Sequence, residues 1–217
     1  MLRLLLLAAE FCTVFVGLPL LIYYKVLPNL PIPYLLVMAL GAFLVLHYDP
    51  SFASSQLTNW ASVRPHLVPL LLRDAVFLAI LGLGVRLFAP ELLFSLVKRA
   101  PILWAAIMLL YPLLSVYPQE LIYRAFLFHR YQPLFGSGWA LLLASALAFG
   151  FVHIIFGNWL AVGLCVIGGF LFALTYQHSG SLLLACLDHA LFGNFLFTIG
   201  LGRFFYHGTH SASFGHP

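Results

Sequence analysis

The sequence carries very little charge. Asp, Glu, Lys and Arg make up 7% of its 217 residues, whereas they make up about a quarter of a soluble domain. Hydrophobic residues make up 63%, and the mean hydropathy is +1.04. This composition predicts an integral, multi-pass membrane protein whose surroundings are a lipid bilayer. The net charge of +4 is too small and too dispersed for a nucleic-acid surface, so no nucleic acid is expected as a partner.

Cysteine is also scarce, and several patterns are missing. The cysteines Cys12, Cys165 and Cys186 lie far apart in apolar runs, which argues against a disulfide framework and a CxxC metal site. The His-Glu-x-x-His pattern of the zincin proteases does not occur. We find no internal repeat, no low-complexity segment and no soluble domain. A single compact bundle is therefore expected.

Apolar runs of helical length make up most of the chain. About eight of them follow one another between Pro, Gly and polar connections, which predicts an all-α, polytopic transmembrane bundle with about eight membrane-embedded helices. The runs cover approximately residues 2–26, 34–47, 67–88, 102–116, 119–131, 139–156, 159–176 and 181–201. We expect N-terminal transmembrane helices at 1–100, a functional core at 101–201 and a short polar tail at 202–217.

Ionisable residues outside the core have structural interpretations. Glu10 is expected to snorkel or to pair with an arginine. Arg73 is expected to snorkel to the membrane interface, because it is adjacent to Asp74 and neighbouring residues do not face each other on a helix. The tail contains three further histidines, which are interpreted as solvated because their spacing fits no helical metal site: His207, His210 and His216.

The core contains polar side chains at membrane depth, where a charge in mid-helix costs at least ~2.5 kcal/mol on the insertion scale. They lie in three separate segments: Glu120 and Arg124, then His153, then Asp188, His189 and Asn194. Such residues face a protein interior or a water-filled cavity rather than lipid. Their grouping predicts that these three segments carry the function.

Each of these side chains has a chemistry that suits hydrolysis. Glu120 could act as a general base, and Arg124, four residues later on the same helix face, could orient it. His153 and His189 could bind a metal, polarise water or donate to an oxyanion. Asn194 could be an uncharged oxyanion donor. Glu120, His153 and His189 together could hold a metal ion, and zinc is the candidate cofactor.

The order of these segments resembles that of a known family, the CAAX-protease and bacteriocin-processing family, also called the Abi family. The first family motif is Glu-Glu-x-x-x-Arg, which Gln119-Glu120-Leu-Ile-Tyr-Arg124 resembles. The second is Phe-x-x-x-His, which Phe149-Gly-Phe-Val-His153 matches in full. The hydrophobic surroundings of both motifs also agree with the four transmembrane segments of the family core.

The third family motif is His-x-x-x-Asn or Asp, and His189-Ala-Leu-Phe-Gly193-Asn194 resembles it with one extra residue. On a regular helix that spacing makes His189 and Asn194 diverge by roughly 140°. Gly193 could allow a local distortion that brings them together. With all three motifs in order, the resemblance covers roughly residues 101–201, the predicted core.

The resemblance implies an intramembrane endopeptidase that hydrolyses a peptide bond of a membrane-associated protein or peptide. Eukaryotic relatives remove the last three residues of prenylated CAAX proteins, and a bacterial plasma membrane is the expected location of this chain. We hypothesise that Glu120, aided by His153, deprotonates a water, while His189 and Asn194 stabilise the oxyanion. Whether the chemistry uses a metal ion or a glutamate-activated water stays open.

One departure from the family leaves two alternatives open. The leading glutamate of the first motif is thought to activate the water, and Gln119 takes its place here. Glutamine cannot accept a proton, so either Glu120 is the base or the chain is an inactive relative that binds or regulates a membrane protein. A small transporter would also place ionisable groups at mid-membrane, although we find no inverted repeat.

Overall fold

A computed structural model describes residues 1–205, and they contain no strand. The tail histidines at 207, 210 and 216 lie outside the described residues. The seven long helices of the described part are α1 (Leu2–Tyr23), α2 (Pro31–Tyr48), α3 (Trp60–Phe88), α4 (Pro101–Phe135), α5 (Trp139–Phe156), α6 (Trp159–Ser179) and α7 (Leu182–Thr198). Six are long and apolar enough to cross a membrane, and α7 is a shorter apolar helix. This confirms the all-α polytopic bundle.

The expected number of about eight helices is too high, because the runs at 102–116 and 119–131 form one continuous helix, α4. Pro118 lies between these two runs, and wide π-helical turns at Pro112–Val116 and Leu121–Phe126 lie on either side of it. In the first of them the Tyr117 N–H donates to the Pro112 carbonyl, five residues back. The wider turn gives room to a proline ring that would otherwise clash with the carbonyl four residues earlier.

Close packing of α5 on α6 positions the second motif. A Cβ atom added to Gly169 on α6 would lie 2.8 Å from Phe149 Cδ1 and 3.3 Å from the Ala146 carbonyl oxygen. A Cβ atom added to Gly150 on α5 would collide with Val166. Glycine at both places therefore lets the two backbones approach each other, and this holds Phe149 and the following turn against the bundle interior.

Polar contacts join the N-terminal helices to the core. Arg130 on α4 binds Glu10 on α1 through Nη2 at 2.7 Å and Nε at 3.0 Å, and the Tyr131 hydroxyl donates to the same carboxylate at 3.0 Å. This confirms the expectation that Glu10 pairs with an arginine.

The prediction that Arg73 snorkels to the membrane interface is wrong. Its Nη2 lies 2.7 Å from Asp74 Oδ1 and 2.6 Å from Asp188 Oδ2 on α7. The Thr175 hydroxyl on α6 donates to the same oxygen of Asp188 at 2.6 Å. Arg73 can contact its neighbour Asp74 because its long side chain bends towards α7, where it also binds the Asp188 carboxylate. The residue before His189 is thereby fixed to both α3 and α6.

Candidate active site

Glu120 lies between a histidine and an arginine in the interior of the bundle. Its carboxylate is fully buried between two partners, with Oε1 2.8 Å from His189 Nδ1 and Oε2 3.1 Å from Arg124 Nε. The atoms of the second pair are close enough for an ion pair but are not aligned for a hydrogen bond. The structure thus brings together Glu120, Arg124 and His189, three of the predicted site residues.

Arg124 is held in one orientation by its surroundings and is fully buried. Its Nη1 donates to the Ser145 hydroxyl at 3.3 Å, and that hydroxyl donates to the Tyr123 carbonyl at 2.7 Å. The guanidinium carbon lies 4.9 Å from the ring centroid of Phe149 and 5.8 Å from that of Phe172, within the range of cation–π attraction. Arg124 therefore supplies a fixed positive charge beside Glu120.

Both ring nitrogens of His189 have partners. Nδ1 faces the Glu120 carboxylate, and Nε2 lies 3.0 Å from the Tyr111 hydroxyl. An ionised carboxylate only accepts hydrogen bonds, so the network assigns the proton to Nδ1 and leaves Nε2 of a neutral imidazole as an acceptor. The ring stacks on Phe172 with centroids 4.6 Å apart and an interplanar angle of 14°. Glu120, His189 and Tyr111 thus form a chain in the order carboxylate, imidazole, hydroxyl.

His153 begins the short 3₁₀ turn that closes α5. Its Nδ1 lies 2.7 Å from the Phe149 carbonyl oxygen. A carbonyl only accepts, so Nδ1 carries the proton and Nε2 has a free lone pair. Among the described residues no hydrogen bond to Nε2 is found. The side chain is buried but reaches the wall of a cavity.

That cavity has a volume of about 870 Å³ and is lined mainly by aliphatic and aromatic side chains from six of the helices. Polar side chains are a minority along its wall, and they include Arg99, Arg203, Tyr111, Ser115, Gln119, His153 and His189. A mostly apolar space with a small number of convergent polar groups is typical of a ligand or substrate site. Glu120 does not line the cavity; it lies one layer behind His189.

Gln119 lies on the cavity wall, where its side-chain Nε2 donates to the Ser115 hydroxyl at 2.6 Å. This bond orients the amide and leaves its carbonyl oxygen as an acceptor. That oxygen can hold a water molecule by accepting a hydrogen bond from it, but it cannot take a proton away.

Asn194 lies away from the cavity wall. Its Nδ2 is 3.4 Å from the Met108 carbonyl oxygen, and its buried Oδ1 has no hydrogen-bond partner in the described part of the chain. Because α7 is regular here, His189 and Asn194 point in different directions, as their spacing predicts. Gly193 does not distort the helix; it makes room for Tyr111.

The sequence did not identify Tyr111 as a site residue, because it lies in an apolar run eight residues before Gln119 and belongs to none of the three motifs. One general signal was present. A tyrosine inside an apolar helix usually has a hydrogen-bond partner for its hydroxyl, and His189 is a polar candidate at the same depth.

Gly193→Ala is expected to destabilise the protein by about 1–3 kcal/mol, as overpacking does. The added Cβ would collide with the ring and hydroxyl of Tyr111. Gly163→Ala on α6 is the matched control, because a Cβ there meets no heavy atom within 4 Å. Thermal unfolding of both variants in the same detergent checks this. Equal transition temperatures would contradict the close approach of Tyr111 to α7.

The donor set does not fit zinc. In the described residues, no group of three or more His, Cys, Asp and Glu side chains could hold a metal ion. The Glu120 carboxylate contacts Arg124 and His189 Nδ1, and His189 Nε2 contacts the Tyr111 hydroxyl. Neither residue therefore has a free ligand atom. Among the three predicted metal ligands, His153 is thus the one that has a free ligand atom at the cavity.

Comparison with known protein families gives a match to the segment that contains the site. Residues 101–195 match the model of the type II CAAX prenyl endopeptidase Rce1-like family. The matched segment contains all three motifs, and it confirms the resemblance seen in the sequence. No curated protein and no solved structure matches the chain.

Proposed function

We propose, on the premise that residues 101–195 are an Rce1-like protease core, that this chain is an intramembrane endopeptidase of the CAAX-processing type. It would hydrolyse a peptide bond in a membrane-associated protein or peptide. The observation that carries the proposal is the meeting of Gln119, His153 and His189 on one apolar cavity inside a multi-pass bundle.

His153 is the proposed general base. Among the described residues its Nε2 has no hydrogen-bond partner, and the Gln119 carbonyl oxygen supplies a second acceptor at the cavity that can hold the attacking water. The arrangement favours His153 over Glu120, because both oxygens of Glu120 face other side chains. Glu120 is instead proposed to position His189.

The reaction then needs no further reactant. His153 Nε2 takes one proton from water as the water oxygen attacks the carbonyl carbon, and the carbonyl π electrons move to its oxygen. When the tetrahedral intermediate collapses, the C–N bond breaks and the His153 imidazolium returns the proton to the leaving amine. Peptide and water become a carboxylic acid and an amine, and the enzyme is restored.

The volume and lining of the cavity suit a substrate with a hydrocarbon portion. About 870 Å³ of mostly apolar space accommodates a lipid chain or several apolar side chains. The name of the matched family refers to prenylated CAAX proteins. A farnesylated peptide with a quenched fluorophore, given to the purified protein in lipid vesicles, is the direct probe. Release of its last three residues supports the proposal, and an intact peptide overturns it.

A second candidate function is that of an inactive relative that binds a membrane protein. It is favoured by Gln119, which stands where the family motif has a glutamate. Gln119→Glu distinguishes the two. It places a carboxylate on the cavity wall, at the position where the wild-type amide of Gln119 donates to the Ser115 hydroxyl. If the site is catalytic, we expect kcat to rise by roughly 10–100-fold, since a positioned base contributes about 10²–10⁴-fold and His153 already supplies part of it.

The matched control is Gln177→Glu, which makes the same change at an exposed contact to the Ser137 carbonyl outside the cavity. Its kcat is expected to stay within twofold of the wild-type value. If neither the wild type nor Gln119→Glu cleaves the peptide, the binding or regulatory function is the better account. Substrate flux without cleavage would instead indicate a transporter.

A further inference from the structure

Tyr111 is a polar member of the cavity wall that lies outside the three motifs. Its hydroxyl is 3.0 Å from His189 Nε2, and both residues line the cavity. The tyrosine ring packs edge-on against the His189 ring with centroids 5.9 Å apart, and against the Phe197 ring at 5.4 Å. The bare backbone at Gly193 lets it approach α7. The hydroxyl is therefore fixed between His189 and the cavity.

The hydrogen-bond chain gives the hydroxyl a definite direction. Glu120 accepts from His189 Nδ1–H, so Nε2 of the neutral ring cannot donate to a substrate. The Tyr111 O–H donates to Nε2 while the site is at rest. Of these linked groups, the tyrosine hydroxyl is the one that has a proton to present to the cavity.

We propose, building on the peptidase function above, that Tyr111 is a catalytic residue whose hydroxyl stabilises the oxyanion of the tetrahedral intermediate. As negative charge develops on the substrate oxygen, the O–H turns from His189 Nε2 to that oxygen. A hydrogen bond to a charged acceptor is roughly twice as strong as one between neutral groups. A neutral carbonyl gains nothing by the exchange, so the stabilisation is specific to the transition state.

His189 and Glu120 complete this role. When the hydroxyl turns away, Nε2 is left at the cavity wall, where it can accept from the substrate N–H or from water. If His189 takes up a proton during the cycle, its Nε2–H donates to the Tyr111 oxygen and the O–H still points to the oxyanion. The Glu120 carboxylate at 2.8 Å stabilises that imidazolium. Tyr111 is a donor in both protonation states.

This assignment replaces Asn194 as the oxyanion donor. The Asn194 amide is directed at the Met108 carbonyl and does not line the cavity, whereas Tyr111 does. The extra residue in the third motif turns Asn194 away, and the glycine that precedes it admits the tyrosine in its place.

Tyr111→Phe tests the proposal in the full-length protein with the farnesylated quenched peptide. Phenylalanine keeps the ring and its contacts and removes only the hydroxyl. We expect kcat to fall about 10²–10³-fold, the usual effect of losing one oxyanion donor, while KM stays within about threefold. Asn194→Ala is expected to lower kcat by less than tenfold.

The matched control is Tyr176→Phe, which removes a hydroxyl bound to Gln56 at 2.9 Å away from the cavity. Its kcat should stay within twofold of the wild type. A kcat for Tyr111→Phe within threefold of the wild type overturns the proposal. So does a loss of kcat in Asn194→Ala that exceeds the loss in Tyr111→Phe, or a loss in Tyr176→Phe that equals it. A Tyr111→Phe protein that no longer folds would assign the hydroxyl a structural role and would also overturn it.

The peptidase function and the role of Tyr111 can be tested separately with the same peptide. If the wild type cleaves the peptide and Tyr111→Phe is unaffected, only the role of Tyr111 is wrong. If the wild type leaves the peptide intact, the peptidase function and the role of Tyr111 are overturned together.

Discussion

His153→Ala is expected to lower kcat for peptide cleavage by about 10²–10⁴-fold, the range that a positioned general base contributes. The side chain supplies the basic nitrogen at the cavity that is free to bind water, and its Nδ1 is already committed to the Phe149 carbonyl. Alanine leaves Gln119 to hold a water that no group deprotonates. Cleavage rates at saturating peptide measure the effect.

The variant loses one side-chain hydrogen bond within its own helix and the ring contacts of His153 with Phe149, Phe156 and Phe205, and it should still insert and fold. His47→Ala is the matched control, since His47 is an exposed residue of α2 outside the cavity, and its rates should equal those of the wild type. Retained cleavage in His153→Ala would contradict the assignment of the base.

Glu120→Gln is expected to affect both activity and stability. The amide leaves the fully buried Arg124 without a counter-charge, and breaking a buried pair in this way costs about 3–5 kcal/mol. The amide can also donate to His189 Nδ1, so it no longer fixes the tautomer of His189 as an ionised carboxylate does. Because Glu120 acts through His189 and Tyr111, we expect kcat to fall by up to about 10²–10³-fold, the usual effect of losing one oxyanion donor.

Glu10→Gln provides the comparison for Glu120→Gln. It makes the same substitution in the pair with Arg130, whose side chain is 42% exposed. Such a pair contributes about 0–1 kcal/mol, so both stability and cleavage should change little. Thermal unfolding and cleavage rates are measured on both variants. Similar losses in the two would contradict a special role for the carboxylate at position 120.

The bundle itself could be predicted from the sequence because hydrocarbon runs leave few alternatives in a membrane. The pairing of Glu120 with Arg124 also followed directly, since residues four apart share a helix face. The sequence did not predict that α4 continues through Pro118. Proline usually ends a helix, and the π-helical turns that accommodate it have no simple sequence signature.

The contacts among the candidate residues were predicted in part. The motifs selected these residues as candidates, and Glu120 lies within hydrogen-bond distance of His189. The depth of each side chain depends on tertiary packing, which decides that Glu120 lies behind His189 while Gln119 faces the cavity. Arg73 shows the same limit, because its partner Asp188 comes from a helix 115 residues later in the chain. Helix spacing alone could not supply that contact.

The central claim is that this cavity hydrolyses a peptide bond at the membrane. Mass spectrometry of the farnesylated peptide after incubation with the vesicle-bound protein in ¹⁸O-labelled water tests it most directly. We predict release of the intact carboxyl-terminal tripeptide and one ¹⁸O atom in the new carboxyl group of the farnesylated fragment, with neither product formed by His153→Ala. An unchanged peptide, or equal products from the wild type and His153→Ala, would contradict it.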